Sequence, residues 1–193
     1  TLDAPGWSAL PEALRGLVLE RWLHAQGLPA PTQAQIAELR RQVMEAREDH
    51  VPRIAWHGAE VRVWRGALHA MKPAGKIHEE WESPWNGGAL QLPGGGTLVL
   101  EDAAGNPVSL PLDPPLHVRF RRGGERIKPA GDAHTRELRD LLQRAGIPPW
   151  QRARIPLIFG CDELLAVANL WSSEVGRRYF EQAGAQPRWQ RPD

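Results

Sequence analysis

Cysteine is almost missing from this chain. The single Cys161 leaves no internal disulfide to form, which fits a reducing compartment, here expected to be the cytoplasm. It lies between two apolar runs in "IFGCDELLAV", so the expectation is a small buried residue. Nothing beside it in sequence would lower its pKa and make it a nucleophile. No apolar run reaches the 18 residues that a membrane span requires, so no membrane partner is expected. The seven histidines, at 24, 50, 57, 69, 78, 117 and 134, form neither HExxH nor a Cys/His pair at zinc spacing, and no metal site is predicted. The opening "TLDAPGW" has neither an initiator Met nor a basic-then-apolar signal pattern, and the expectation is a piece of a longer chain.

Net charge is also close to absent, at +1, but it is unevenly spread. From His117 to Arg154 the chain holds ten Lys or Arg against four Asp or Glu. The densest part is "RFRRGGERIKPAG", with Arg119, Arg121, Arg122, Arg126 and Lys128 around Gly123 and Gly124. A basic block on an otherwise acidic chain suits a polyanionic partner. The competing reading, a solvated charged face, stays open on charge alone.

Periodicity divides the chain. "LPEALRGLVLERWLHAQG" (10–27) carries Leu10, Leu14, Leu17, Val18 and Trp22 at helical spacing, with Pro11 and Glu12 suited to a first turn. "PTQAQIAELRRQVMEARED" (31–49) opens with Thr32 and Gln35 in a capping-box pattern and has the apolar stripe Ile36, Leu39, Val43. "VPRIAWHG" and "AEVRVWRGALHAM" then alternate at period two, with a turn at His57-Gly58. Residues 1–72 therefore read as a helical hairpin plus a small antiparallel sheet, residues 73–88 as a linker, and 89–176 as a β-rich domain. Residues 177–193 read as a loosely ordered tail. The fold class is α+β.

Within 89–176 short strands are expected at 89–92, 97–102, 108–112 and 116–121, and "PGGG" (93–96) is a hairpin turn, since no GK[ST] or helix follows. One main helix is expected over 134–150, capped by Thr135, ended by Gly146 and stopped by Pro148-Pro149. Its buried stripe is Leu138, Leu141, Leu142 and Ala145, and Arg136, Arg139 and Gln143 look outward. A hairpin turning at Gly160-Cys161-Asp162 follows.

No catalytic residue is predicted. Glu79-Glu80, Glu101-Asp102 and Asp162-Glu163 are adjacent pairs, which a strand would point to opposite faces, and no Ser/His/Asp set is evident. What remains is the basic turn. Arginine offers planar bidentate recognition of phosphate, and the two glycines permit a tight reversal. Glu125 is expected to hold an arginine from within rather than to touch a ligand. A basic turn followed by a basic helix could straddle an RNA backbone, which proteins read mainly by shape, phosphate and ribose. Nine tryptophans make base stacking conceivable for Trp64, Trp85 or Trp150, although packing is the commoner use.

"VRFRRGGERI", a short helix, and then "LLQRAGIPPWQRARIPLIFGCDELLAVANLW" resemble the C-terminal domain of bacterial tRNA(Ile)-lysidine synthetases. "AREDHVPRIAWHGAEVRVWRGALHAM", with the helices before it, resembles that family's middle, substrate-binding domain. The resemblance implies an ATP-dependent, tRNA-modifying ligase. Such an enzyme adenylates carbon 2 of the wobble cytidine of an isoleucine tRNA with a CAU anticodon, and lysine then displaces AMP. ATP, lysine and magnesium belong to an N-terminal ATP-pyrophosphatase domain with an SGGxDS loop, absent here. The fragment itself is therefore expected to bind no cofactor and to be inactive alone, with the missing domain as a partner. A homodimer is left open. The resemblance places Arg119, Arg121, Arg122, Gly123, Gly124, Glu125 and Arg126 on the family's basic turn and Arg139 where relatives carry a Lys. Arg152 and Arg154 follow I-P-P, and Arg62 and Arg65 lie on the middle domain's basic strand. With Lys128 and Arg136 these are the expected tRNA contacts. Glu137 and Asp140 depart from a helix usually richer in Lys. The alternatives from the residues alone are a protein-binding β module with a basic docking surface and a small hydrolase.

Overall fold

The structure, a computed structural model, describes residues 1–45, 51–73, 75, 77, 78, 80–109, 113 and 115–191. It divides into two compact units, with the boundary between residues 74 and 75.

The first unit begins with β1 (Leu2–Asp3) and α1 (Ala4–Ala9), whose N-terminus is capped by the Asp3 carboxylate accepting from the Gly6 N–H at 2.6 Å. Helices α2 (Glu12–His24) and α3 (Gln33–Glu45) follow. The capping box forms in both directions: the Gln35 N–H donates to Thr32 Oγ1 at 3.3 Å and the Thr32 N–H donates to Gln35 Oε1 at 2.8 Å. Strands β2 (Arg53–Trp56), β3 (Ala59–Trp64) and β4 (Ala67–Met71) complete an antiparallel sheet in the order β1-β4-β3-β2. The stretch read as one second strand is thus two, reversing at Arg65-Gly66, where both residues take positive φ.

The buried face of α2 differs from the expected stripe. Leu19 and Leu23 are fully buried, whereas Leu14 and Leu17 are 46% and 62% exposed. Apolar residues lie all round the helix over 14–23 with Arg15, Glu20 and Arg21 interspersed, so spacing offers several stripes. Packing selects the one facing Ile36, Leu39, Val61 and Leu68 in the shared core.

The second unit contains β5 (Glu82–Trp85), β6 (Leu90–Gln91), β7 (Thr97–Asp102), β8 (Pro107–Val108), β9 (Leu116–Arg119), β10 (Arg126–Ile127) and β11 (Arg136–Glu137). Then come α4 (Leu138–Arg144), α5 (Pro149–Arg152), β12 (Leu157–Gly160), β13 (Glu163–Val167), β14 (Trp171–Ser172), α6 (Glu174–Gln182) and β15 (Ala185–Gln190). One sheet runs β14-β13-β12-β9-β5, a second β15-β7-β6 with β8 also on β7, and β10 pairs with β11. A common core joins Leu98 and Leu100 of β7 to Val118, Ile158, Leu142 and Phe180. The strand expected over 108–112 is described only at its start, because residues 110–112 lie outside the described residues.

Four further expectations are corrected. The segment read as linker contributes β5, which pairs with β9. The segment read as a loose tail completes α6 and forms β15, paired with β7 over six residue pairs. Its alternating burial at Ala185, Pro187 and Trp189 carries the strand, and Pro187 is tolerated because β15 is an edge. The main helix starts at Leu138 with Glu137, not Thr135, in the N-cap position, because Arg136 and Glu137 are drawn into β11 by pairing with β10. Cys161 is exposed, because it and Asp162 form the tip of the β12–β13 hairpin with φ of 47° and 66°.

Helix α6 lies very close to β13. Ser173 caps it, accepting from the Gly176 N–H at 3.0 Å, and a Cβ at Gly176 would fall 2.0 Å from the Leu165 carbonyl oxygen. Only glycine fits there.

Candidate nucleic-acid interface

The basic turn is organised around a carboxylate. Glu125 has only 5% of its side chain exposed. Its Oε1 accepts from the Arg122 N–H at 2.6 Å and from Arg119 Nη1 at 3.1 Å. The Gly123 N–H lies 3.2 and 3.1 Å from its two oxygens, and Arg121 Nε is 3.7 Å away. Gly123 and Gly124 take φ of 98° and 77°, and no atom would crowd a Cβ at either. The turn needs them for backbone conformation, not for space. Burial pushes the Glu125 pKa up, but the Arg122 N–H and the Arg119 guanidinium outweigh it, and the net shift is downward. Two backbone donors of this turn, the Arg122 and Gly123 N–H groups, are therefore taken by its own carboxylate. An external phosphate would have to be met by side-chain tips.

The predicted contact residues sort by what already holds them. Arg119 and Arg121 are 15% and 16% exposed and turn towards Glu125. Arg119 also lies 4.4 Å over the Phe159 ring, on which His117 stacks at 5.3 Å. Arg122, half exposed, pairs with Glu82 at 3.0 Å and reaches the Glu80 carbonyl. Arg136 grips Asp132 with Nε and Nη2 at 3.0 and 3.2 Å, and this donation lowers the Asp132 pKa to about 2. Arg152 donates to the Ile147 carbonyl at 2.7 Å. Arg154 ties the Gly94 and Gly75 carbonyls at 3.0 and 2.6 Å. Gly94 allows that approach, since a Cβ there would meet Arg154 Nη1.

Arg126, Lys128 and Arg139 are exposed, and no ion pair to them is seen among the described residues. They lie close along the fold. Arg126 sits across from Glu137 in the β10–β11 pair, and the Leu138 N–H at the start of α4 donates to the Glu125 carbonyl at 2.9 Å. One rigid joint therefore carries the turn and the helix that bears Arg139. The five cations of the turn face two carboxylates, Glu125 and Glu82, so a positive surplus remains.

In the first unit Arg62 donates through Nε to Glu60 at 2.8 Å, and Arg53 reaches the same carboxylate through Nε and Nη2 at 2.8 and 2.7 Å. Glu60 is 2% exposed. Arg53, Arg62 and His69 are direct partners across β2, β3 and β4, so they form a row on one face. Arg65 lies 4.7 Å over Trp64. Arg53 was missed by sequence reasoning, although the register of a hairpin turning at His57-Gly58 puts it opposite Arg62. Of the tryptophans considered for stacking, Trp85 is core, donating Nε1 to the Gly88 carbonyl at 2.7 Å.

The "PGGG" segment does not have the loop-then-helix form of a phosphate-binding loop. "PGGG" makes the β6–β7 hairpin turn, with the Leu92 N–H donating to the Gly96 carbonyl at 3.0 Å, and β7 follows instead of a helix. No group of three or more His, Cys, Asp or Glu that could hold a metal ion is found among the described residues. Nor is any helix among them long and apolar enough to cross a membrane.

Comparison with known proteins identifies the family of the chain. Residues 2–69 match the TilS substrate binding domain and residues 116–192 the TilS substrate C-terminal domain. The tRNA(Ile)-lysidine synthase of Xylella fastidiosa (strain Temecula1) is 35% identical over 98% of this chain, and that of Coxiella burnetii is 36% identical over 93%. The chain spans 43% and 39% of those two relatives' own lengths. A crystal structure of a TilS C-terminal domain overlaps 58% of the chain and 99% of its own, at 23% identity and a TM-score of 0.41. With both domain matches in order along one chain, the protein belongs to the tRNA(Ile)-lysidine synthase family and carries that family's substrate-binding domain followed by its C-terminal domain.

Proposed function

We propose that this chain is the tRNA-gripping part of a tRNA(Ile)-lysidine synthase. The whole enzyme would ligate lysine to the wobble cytidine of an isoleucine tRNA at the expense of ATP, in the cytoplasm. The chemistry, with its ATP, magnesium and lysine, is assigned to a domain outside this chain. This chain's share is to hold the RNA. Arg126, Lys128 and Arg139 would meet phosphates directly. Arg119, Arg121 and Arg136 would act indirectly, by fixing the turn and the start of α4. Arg53, Arg62 and Arg65 would give the first unit its own cationic face.

The observation that supports this reading most is a turn in which Glu125 takes the Arg122 and Gly123 amides while Arg126 and Lys128 remain exposed beside it. Such a surface holds positive charge at fixed positions with little freedom to collapse. The double charge reversal Arg126→Glu with Lys128→Glu should weaken tRNA binding at least about tenfold. It should also lower the slope of log affinity against log salt by roughly two, one per lost phosphate contact. Thermal stability should move by under about 0.5 kcal/mol, as for exposed sites generally. Equal binding of variant and parent chain would reject the turn as an RNA contact. Salt-sensitive binding to an acidic protein but not to tRNA would favour a protein-docking module instead.

A further inference from the structure

A second site is suggested by a cleft of about 220 Å³ in the second unit, away from the basic turn. It opens between the β13–β14 connection and β15, and Asn169, Trp171, Ser172, Gln186, Pro187 and Arg188 line it. These two walls come from different sheets. β14 is the last strand of the five-stranded sheet and β15 the last strand of the other. Both walls are firmly held. Trp171 and Ser172 pair with Val167 and Ala166, the Ala168 N–H donates to the Pro156 carbonyl at 2.9 Å, and β15 is tied to β7 along its whole length. The cleft is thus built into the fold and does not depend on a loop closing.

Its chemistry is specific. The lining offers one aromatic ring, two side-chain amides, one hydroxyl and one guanidinium, and no Asp or Glu side chain. Amides both donate and accept, as the edge of a nucleobase demands, and an indole gives it a stacking surface. Arg188 is 58% exposed and has only Nε engaged, 3.3 Å from Glu101, among the described residues, so its outer N–H groups can take a phosphate. Double-stranded RNA cannot deliver a base into such a recess. An unpaired nucleotide can.

We propose that this cleft receives one unpaired nucleotide of the RNA, its base against Trp171, its edge read by Asn169 and Gln186, and its phosphate met by Arg188. The proposal rests on the RNA-binding reading above and adds to it a site for single-stranded RNA that is separate from the backbone grip of the basic turn.

The test uses two probes with the whole chain. One is a single-stranded RNA tetramer carrying 2-aminopurine, whose fluorescence falls when it stacks on an indole. The other is a blunt RNA hairpin with no unpaired terminal nucleotide. The tetramer should be quenched saturably. Trp171→Leu and Arg188→Gln should each weaken its binding about tenfold, within the range that loss of a base stack or a phosphate contact produces, while hairpin affinity stays unchanged. Because Trp171 also packs against the core, the Arg188→Gln variant carries the test if Trp171→Leu fails to fold. Undiminished tetramer binding in Arg188→Gln, with Trp171→Leu unaffected or unfolded, overturns the proposal. A chain that binds the hairpin but ignores the tetramer also overturns it, assigns the cleft to another ligand such as an extended peptide, and leaves the proposed function standing. A chain that binds neither RNA ends both.

Discussion

The two units use the same device and obtain different surfaces from it. In each, a buried glutamate lies between two arginines: Glu60 between Arg53 and Arg62, Glu125 between Arg119 and Arg121. Around Glu125 both arginines are nearly covered, at 15% and 16% exposure, and the carboxylate also takes two backbone N–H groups. Around Glu60 the arginines keep 52% and 23% of their side chains in solvent. The first arrangement spends its guanidinium groups on shaping a loop. The second keeps a guanidinium on display. Counting arginines would rank the turn as the richer anion site. Tracing each one to its partner shows that its most deeply held arginines are its scaffold.

The largest expected effect separates the two glutamates. Glu125→Ala leaves the Arg122 and Gly123 amides without their acceptor and removes the carboxylate beside two nearly covered guanidinium groups, and should cost about 3 kcal/mol in urea denaturation. Glu60→Ala should cost about half as much, since Arg53 can be rehydrated where it stands. Equal losses would mean that the backbone donors contribute nothing and the two sites are alike.

Acid should open the turn next. A carboxylate held below its ordinary pKa adds stability that is complete above the unfolded value and disappears as pH falls through the folded one. Glu125 and Asp132 are both lowered, from ordinary values of 4.5 and 3.8, Asp132 to about 2. Stability followed by denaturant titration should therefore be level down to about pH 4.5 and decline below it towards pH 2. Glu125→Gln should flatten the upper part of that decline. A decline of unchanged size in the variant would remove Glu125 as its source.

The smallest effect on stability is expected where the effect on binding is sharpest. Arg53→Ala should lower stability by only about 1 kcal/mol, because the buried Glu60 loses one arginine partner and keeps Arg62, yet weaken tRNA binding severalfold with a shallower salt slope. Arg119→Ala should do the reverse, lowering stability because Glu125 and Phe159 lose a partner while binding shifts little. If both behave alike, exposure is not what distinguishes them.

The sequence made the local features legible. The Thr32–Gln35 box, the reversal at Cys161-Asp162 and the close of α4 near Gly146 follow from short-range chemistry, and each is present. The positive segment was equally plain. Its division into scaffold and exposed tips was not, because that depends on where Glu82 and Gly75 come to lie, far away in sequence from Arg122 and Arg154. Long-range pairing likewise decided β5 and β15, and pairing with β10 about ten residues upstream decided β11. The stripe on α2 escaped for a different reason: its apolar residues are spread round the helix among Arg15, Glu20 and Arg21, so spacing does not choose a face. Arg53 needed only the hairpin register to be worked out.

The partnership of β15 with β7 sets an order of events during synthesis. Strand β7 has β6 and β8 along one side and β15 along the other, and the last of these lies more than eighty residues downstream. While that stretch is still inside the ribosome, β7 would show a bare row of amides and carbonyls to the cytosol, a surface on which other nascent chains can add. Emergence of residues 185–190 from the ribosome removes the hazard and, by the same act, raises the second wall of the Trp171 cleft.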